Sequence, residues 1–141
     1  MPDLKLFTRE EADRTLPLVR RIVADLLAEY PAWRAAVGRY ELLTGGARAE
    51  WGETGELVAA RDEVAHHAER ISGFLRELDE IGCVFKGFDA GLVDFYSLRD
   101  DQPIFLCWRV GEDRIRYWHS IEAGFGGRQP IDDAVLSGGG G

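Results

Sequence analysis

The stretch LPLVRRIVADLLAEYPAWRAAVGRY, residues 16–40, decides the architecture. Its apolar residues Leu16, Val19, Val23, Leu26, Tyr30, Trp33, Val37 and Tyr40 are spaced alternately by three and four. That alternation is the heptad seam of a helix that packs on another helix. Leu57, Ala60, Val64, His67, Ile71, Phe74, Leu78 and Ile81 repeat it. Paired antiparallel, the two seams keep a constant residue sum of 97, so that Tyr40 meets Leu57, Trp33 meets Val64 and Leu16 meets Ile81. Between them LTGGARAEWGETG reads as a loop. The expectation is a long antiparallel helical hairpin over about residues 8–82.

Its ends carry their own signals. In FTREEA, Thr8 stands three residues before Glu11, the capping-box spacing, with Phe7 and Ala12 at the staple positions. Gly82 stands where a left-handed C-cap ends a helix. Pro17 and Pro31 interrupt the first helical pattern, and a kink or a division is expected there. His67 falls on the seam opposite Tyr30, a polar pair that sets register. EVAH, residues 63–66, has the Glu-x-x-His spacing of di-iron bundles. It occurs once, and His66 lies off the seam.

After Gly82 the period changes. CVFKGF, LVDFYSL, PIFLCWRV and RIRYWHSI are short runs rich in aromatic and β-branched residues, separated by Gly, Asp and Pro. They predict a small antiparallel sheet over about residues 83–122. If Val110 pairs with Ile115, Trp108 faces Tyr117, Leu106 faces His119 and Ile104 faces Ile121, which gathers apolar residues on one face. This register places Cys107 opposite Trp118 and on the other face from His119. No metal site is therefore expected, and His119 reads as a hydrogen-bonded residue of the apolar face near the hairpin. A loop over 123–136 and a flexible glycine tail over 137–141 complete an α+β single domain spanning 1–136.

The net charge of −8 is spread without any basic segment, which removes the electrostatic footprint of nucleic-acid or acidic-membrane binding. No apolar run is long enough for a membrane span and the start MPDLKLFTRE is not a secretory signal. Two cysteines, Cys83 and Cys107, are too few for a disulfide framework. A cytoplasmic protein with two buried thiols is the expectation.

Candidate chemistry lies in the second half. AGFGGR, residues 123–128, pairs glycines with Arg128 and invites an anion-binding reading, although the dinucleotide and P-loop patterns both fail. Loop geometry explains those glycines equally well. Asp94, set among Val93 and Phe95, needs a partner. Arg109, Arg116 or Arg128 can supply an ion pair, and His119 would make it an imidazole-orienting carboxylate. Trp108 and Trp118 are candidate ligand-binding aromatics.

LFTREEADRTLPLVRRIV, GLVDFYSL, LCWRVGE and YWHSIEAGFGGRQPI together resemble the domain-of-unknown-function family numbered 2203, found in uncharacterised bacterial and archaeal proteins. The resemblance implies no activity, substrate or cofactor. Its polar signature maps here to Asp94, Cys107, Glu112, His119 and Arg128. The leading expectation is a non-catalytic binding or oligomerisation module. Leu27, Trp51, Val58 and Leu75 are left over for a homodimer contact. The alternative is a small-molecule or metal-dependent enzyme in which Asp94 orients His119 and Arg128 holds a small anionic group.

Overall fold

A computed structural model describes residues 4–45 and 54–132. Two long helices pack together, α1 (Arg9–Thr44) and α2 (Gly55–Ile81), and five strands follow: β1 (Cys83–Phe85), β2 (Leu92–Arg99), β3 (Gln102–Arg109), β4 (Tyr117–Ser120) and β5 (Gln129–Pro130). The strands form one antiparallel sheet in the order β1-β2-β3-β4-β5. The α+β expectation holds. The chain divides into two compact units, residues 1–23 with 77–141, and residues 24–76.

The helix ends form as their residues dictate. Glu11 N–H donates to Thr8 Oγ1 at 3.1 Å, and Thr8 N–H donates to Glu11 Oε1 at 2.8 Å, a reciprocal capping box. Those bonds hold the Glu11 carboxyl below the usual carboxylate range. Gly82 ends α2 with φ 105°, its N–H shared by the carbonyls of Leu78 and Asp79.

Neither proline divides α1, which runs unbroken over 36 residues. Each proline costs a helix interior about 3 kcal/mol. Against that, Leu16, Val19, Val23 and Leu26 are all buried, and each such side chain contributes about 1.5–3 kcal/mol on burial. Burial outweighs the two missing N–H groups.

In the unit of residues 24–76, Glu29 is the polar centre. His67 Nδ1 is hydrogen-bonded to Glu29 Oε1, and Arg70 Nε lies 3.0 Å from Glu29 Oε2. The His67 bond, with Arg70 behind it, lowers the Glu29 pKa. The seam histidine is therefore met by the neighbour of Tyr30, a carboxylate that the seam pattern did not place there. Arg39 pairs with Glu63 on the exposed side. Among the seam residues of this unit Leu26 is fully buried, while Trp33, Val37, Val64 and Phe74 are only half-buried.

In the other unit the sheet is covered on both faces. Val93, Phe95, Leu106 and Trp108 share one face by strand alternation. There the Phe7 ring meets Phe95 edge-on at 5.1 Å, and Ser97 Oγ donates to the Phe7 carbonyl at 2.6 Å. Asp94, Phe105 and Cys107 share the opposite face, and they too are buried.

That two-sided burial corrects the expected register of β3 and β4. The strands align Ile104 with Ser120, Phe105 with His119, Leu106 with Trp118 and Cys107 with Tyr117. This is one residue away from the pairing that apolar alternation favours. Ile115 leaves the ladder: it is fully buried, and its N–H donates to Asp13 Oδ1 of α1 at 2.7 Å. Ile121, expected in an apolar layer, is exposed. The chain from Val110 to Arg116 is thus a loop, braced by Trp108 Nε1–H on the Glu112 carbonyl at 2.9 Å. Residues 123–136, expected as loop, also contribute β5, which pairs Tyr117 with Pro130 and Trp118 with Gln129. Trp51 and the glycine tail lie outside the described residues.

Candidate functional site

The register has a direct chemical consequence. Asp94 stands opposite Cys107 on β2 and β3, and His119 stands opposite Phe105, two residues along β3 from Cys107. All three side chains therefore point to the same face. Their potential ligand atoms lie within 4.8 Å of one another, and all three residues are buried. Cys107 and His119, expected on opposite faces, share one face in this register, and Leu106 lies on the other.

His119 is held by both ring nitrogens. Nδ1 lies 2.8 Å from the Ser120 carbonyl oxygen. A carbonyl only accepts, so Nδ1 carries the proton. Nε2 lies 3.1 Å from each oxygen of Asp94. A neutral imidazole in this tautomer turns its remaining lone pair toward a carboxylate, and two acceptors repel. The pair is stable only with an additional proton or another cation between them. Lys86 Nζ, 4.0 Å from Asp94 Oδ2, adds positive charge at the rim and lies over the Phe105 ring at 4.9 Å.

These groups line a cavity of about 230 Å³. Asp94, Cys107, His119 and Phe105 form its floor, with Lys86, Leu92, Ile121 and Gly124 around it. Burial, then the Asp94 carboxylate, pushes the Cys107 thiol up to about 12. It is a protonated thiol unless something replaces the proton. Cys83, elsewhere on β1, is likewise pushed up to about 12 by burial, and both thiols are free.

Arg128 sits beside this cluster but does not line the cavity. Its Nη2 donates to Glu112 Oε1 at 2.6 Å and to the Cys107 carbonyl at 3.2 Å, and its guanidinium covers the Tyr117 ring at 4.1 Å. Burial works against its charge, but the hydrogen bond to Glu112, with Cys107 beside it, holds its pKa above the ordinary arginine value. Glu112 also accepts the Arg109 N–H at 2.7 Å. Arg128 and Glu112 therefore tie the end of the GFGGR loop to β3 and the β3–β4 loop. The loop itself needs glycine at 127, where a Cβ would stand 2.4 Å from that of Ala123. Loop geometry thus accounts for that glycine.

The two tryptophans are not brought to the pocket. Trp108 is buried on the opposite face. Trp118 lies under the Arg99 guanidinium at 4.8 Å and borders a separate shallow cavity with Pro103 and Glu122. The Arg partners expected for Asp94 are not the ones it takes, since Arg116 pairs with Asp113 and Arg128 with Glu112. Among the described residues Asp94, Cys107 and His119 are the group of three or more whose ligand atoms converge as a metal ion requires. Apolar alternation alone separates Cys107 from His119 because it selects a register one residue away from the one the strands adopt.

The fold and site define an α+β protein with a pocket holding three buried ionisable side chains on the sheet face opposite the Phe7 contact. The chain belongs to the family described as Uncharacterized conserved protein (DUF2203), whose model matches residues 5–131. No curated protein and no solved structure matches it. No helix among the described residues is long and apolar enough to cross a membrane.

Proposed function

We propose that the protein works through the Asp94–Cys107–His119 pocket, as a binder of a small polar ligand with reactive groups at its floor. The observation that carries this reading is the convergence of three buried ionisable side chains on one cavity. A sheet stabilised only by packing gains nothing from burying a carboxylate, an imidazole and a thiol together, because each costs solvation. The cavity, at about 230 Å³, is smaller than the roughly 300–1,000 Å³ of pockets for drug-sized ligands. It suits an ion or a molecule of a few heavy atoms. Lys86 at the rim favours an anionic group on that molecule, a role expected from sequence for Arg128.

Native mass spectrometry of the protein as purified tests this. The expected result is a retained small mass that is absent from the His119→Gln variant. The same bare mass for both proteins, with no small molecule or ion shifting the thermal transition of the wild type, would defeat it.

Self-association is a second role, carried by the hairpin of residues 24–76. Trp33, Val37, Val64 and Phe74 remain half-buried there, and Leu42 is 80% exposed. A second copy pairing hairpins into a four-helix arrangement would cover them. Sedimentation velocity at tens of micromolar is expected to give a dimer. A monomer at that concentration contradicts this role and leaves the pocket untouched.

A further inference from the structure

We propose that Asp94, Cys107 and His119 bind a divalent transition-metal ion, zinc in type, through a carboxylate oxygen, Sγ and Nε2, with a fourth position open to the cavity. This rests on the pocket reading and names its occupant.

Four observations converge. The donor atoms lie within 4.8 Å of one another and belong to buried side chains. In a tetrahedron with metal–ligand bonds of about 2.0–2.1 Å, two oxygen or nitrogen ligands stand about 3.3 Å apart. Nε2 stands 3.1 Å from both oxygens of Asp94, so a metal needs little rearrangement there. The Ser120 carbonyl holds Nδ1–H at 2.8 Å, the outer partner that metal-bound histidines regularly have, and it aims the Nε2 lone pair into the cluster. A cation at this point takes the place of the proton that otherwise joins Nε2 to the carboxylate.

The donor set selects the metal. Magnesium and calcium take oxygen ligands, and a thiolate with an imidazole excludes them. A mixed nitrogen, oxygen and sulfur set with three protein ligands and one open position is the composition of a reactive zinc site rather than a closed structural one. Coordination takes the Cys107 proton to solvent. A dication with one thiolate and one carboxylate is then neutral overall, and it occupies a site that the bare thiol and carboxylate share at a desolvation cost.

The test uses the whole protein, stripped with a chelator and titrated with cobalt(II), then with zinc as competitor. One equivalent of cobalt is expected, with a sulfur-to-cobalt charge-transfer band and the intense visible bands of a tetrahedral ion, all displaced by zinc. The charge-transfer band should vanish in Cys107→Ser, and stoichiometric binding should be lost in His119→Gln. If a variant does not fold by circular dichroism, thiol alkylation of the wild type decides instead. Zinc should then slow modification of Cys107 at least tenfold and leave Cys83 unchanged. Absence of stoichiometric binding by the wild type, or binding without a sulfur band, would overturn the metal assignment. If the wild type binds no metal but still retains a small molecule that His119→Gln loses, the pocket reading stands and only the metal falls. If neither is found, both fall.

Discussion

Nε2 of His119 stands 3.1 Å from both carboxylate oxygens of Asp94, on neighbouring sites of a sheet in which β3 separates the two strands that carry them. Both side chains are only 3% exposed. At that burial each group depends on the other, because a lone buried charge or imidazole loses water and gains nothing in return. Removing either partner should destabilise the fold by about 3 kcal/mol.

The double-mutant cycle of Asp94→Ala and His119→Ala, read by urea denaturation of the metal-stripped protein, should show a coupling of about 1–3 kcal/mol. Additive losses would mean that the two side chains are not energetically joined.

Two long-range bonds tie α1 to the β3–β4 loop: Ile115 N–H to Asp13 Oδ1 at 2.7 Å, and Arg20 Nη2 to the Asp113 carbonyl. Ile115 is fully buried, so its N–H has no water to fall back on. Asp13→Ala should cost about 1–3 kcal/mol in chemical denaturation, and Asp13→Asn, which keeps an acceptor oxygen, about half of that. Equal stability for wild type and Asp13→Ala would remove this bond from the account of why the loop leaves the ladder.

The β2–β3 turn is made by Asp100 and Asp101, with φ of 50° and 64°. Two adjacent positive-φ residues between paired Arg99 and Gln102 give the turn that Asn-Gly forms most readily. The double substitution Asp100→Asn with Asp101→Gly should raise stability by about 1 kcal/mol. A lower melting temperature would show that the aspartates make compensating contacts.

Burial raises the Cys83 pKa from 9.0 to about 12. The unfolded chain therefore loses this proton at a lower pH than the folded chain does. Stability from this group is complete below pH 9 and falls as pH rises from 9 toward 12, by about 1.4 kcal/mol per pH unit. Cys83→Ala should be less stable at neutral pH but lose less on going from pH 8.5 to 10.5. Parallel pH profiles for the two proteins would rule out this thiol as a source of alkaline sensitivity.

Much of this was legible in the residues. The capping box at Thr8 and Glu11, the stop at Gly82 and the burial of Leu16, Val19, Val23 and Leu26 follow from spacing and local chemistry. Asp94 stood out because a carboxylate between Val93 and Phe95 needs a partner. The partner was harder to read. Alternation selects a register only when one face of a strand is polar, and here β3 is buried from Ile104 through Trp108 on both faces. Ile115 completes an apolar layer on paper, yet it is drawn from the ladder by Asp13, about a hundred residues earlier in the chain. Arg128 and Glu112 resemble open ligand contacts in sequence because nothing local reveals that they bind each other.

The measurement that tests the central claim most directly is the β3–β4 register in solution, read from cross-strand NOEs in isotope-labelled protein. The account predicts contacts linking Phe105 with His119 and Cys107 with Tyr117. These place His119 and Cys107 on the same face as Asp94. Contacts linking Leu106 with His119 and Trp108 with Tyr117 would put the imidazole on the opposite face and contradict the pocket at its root.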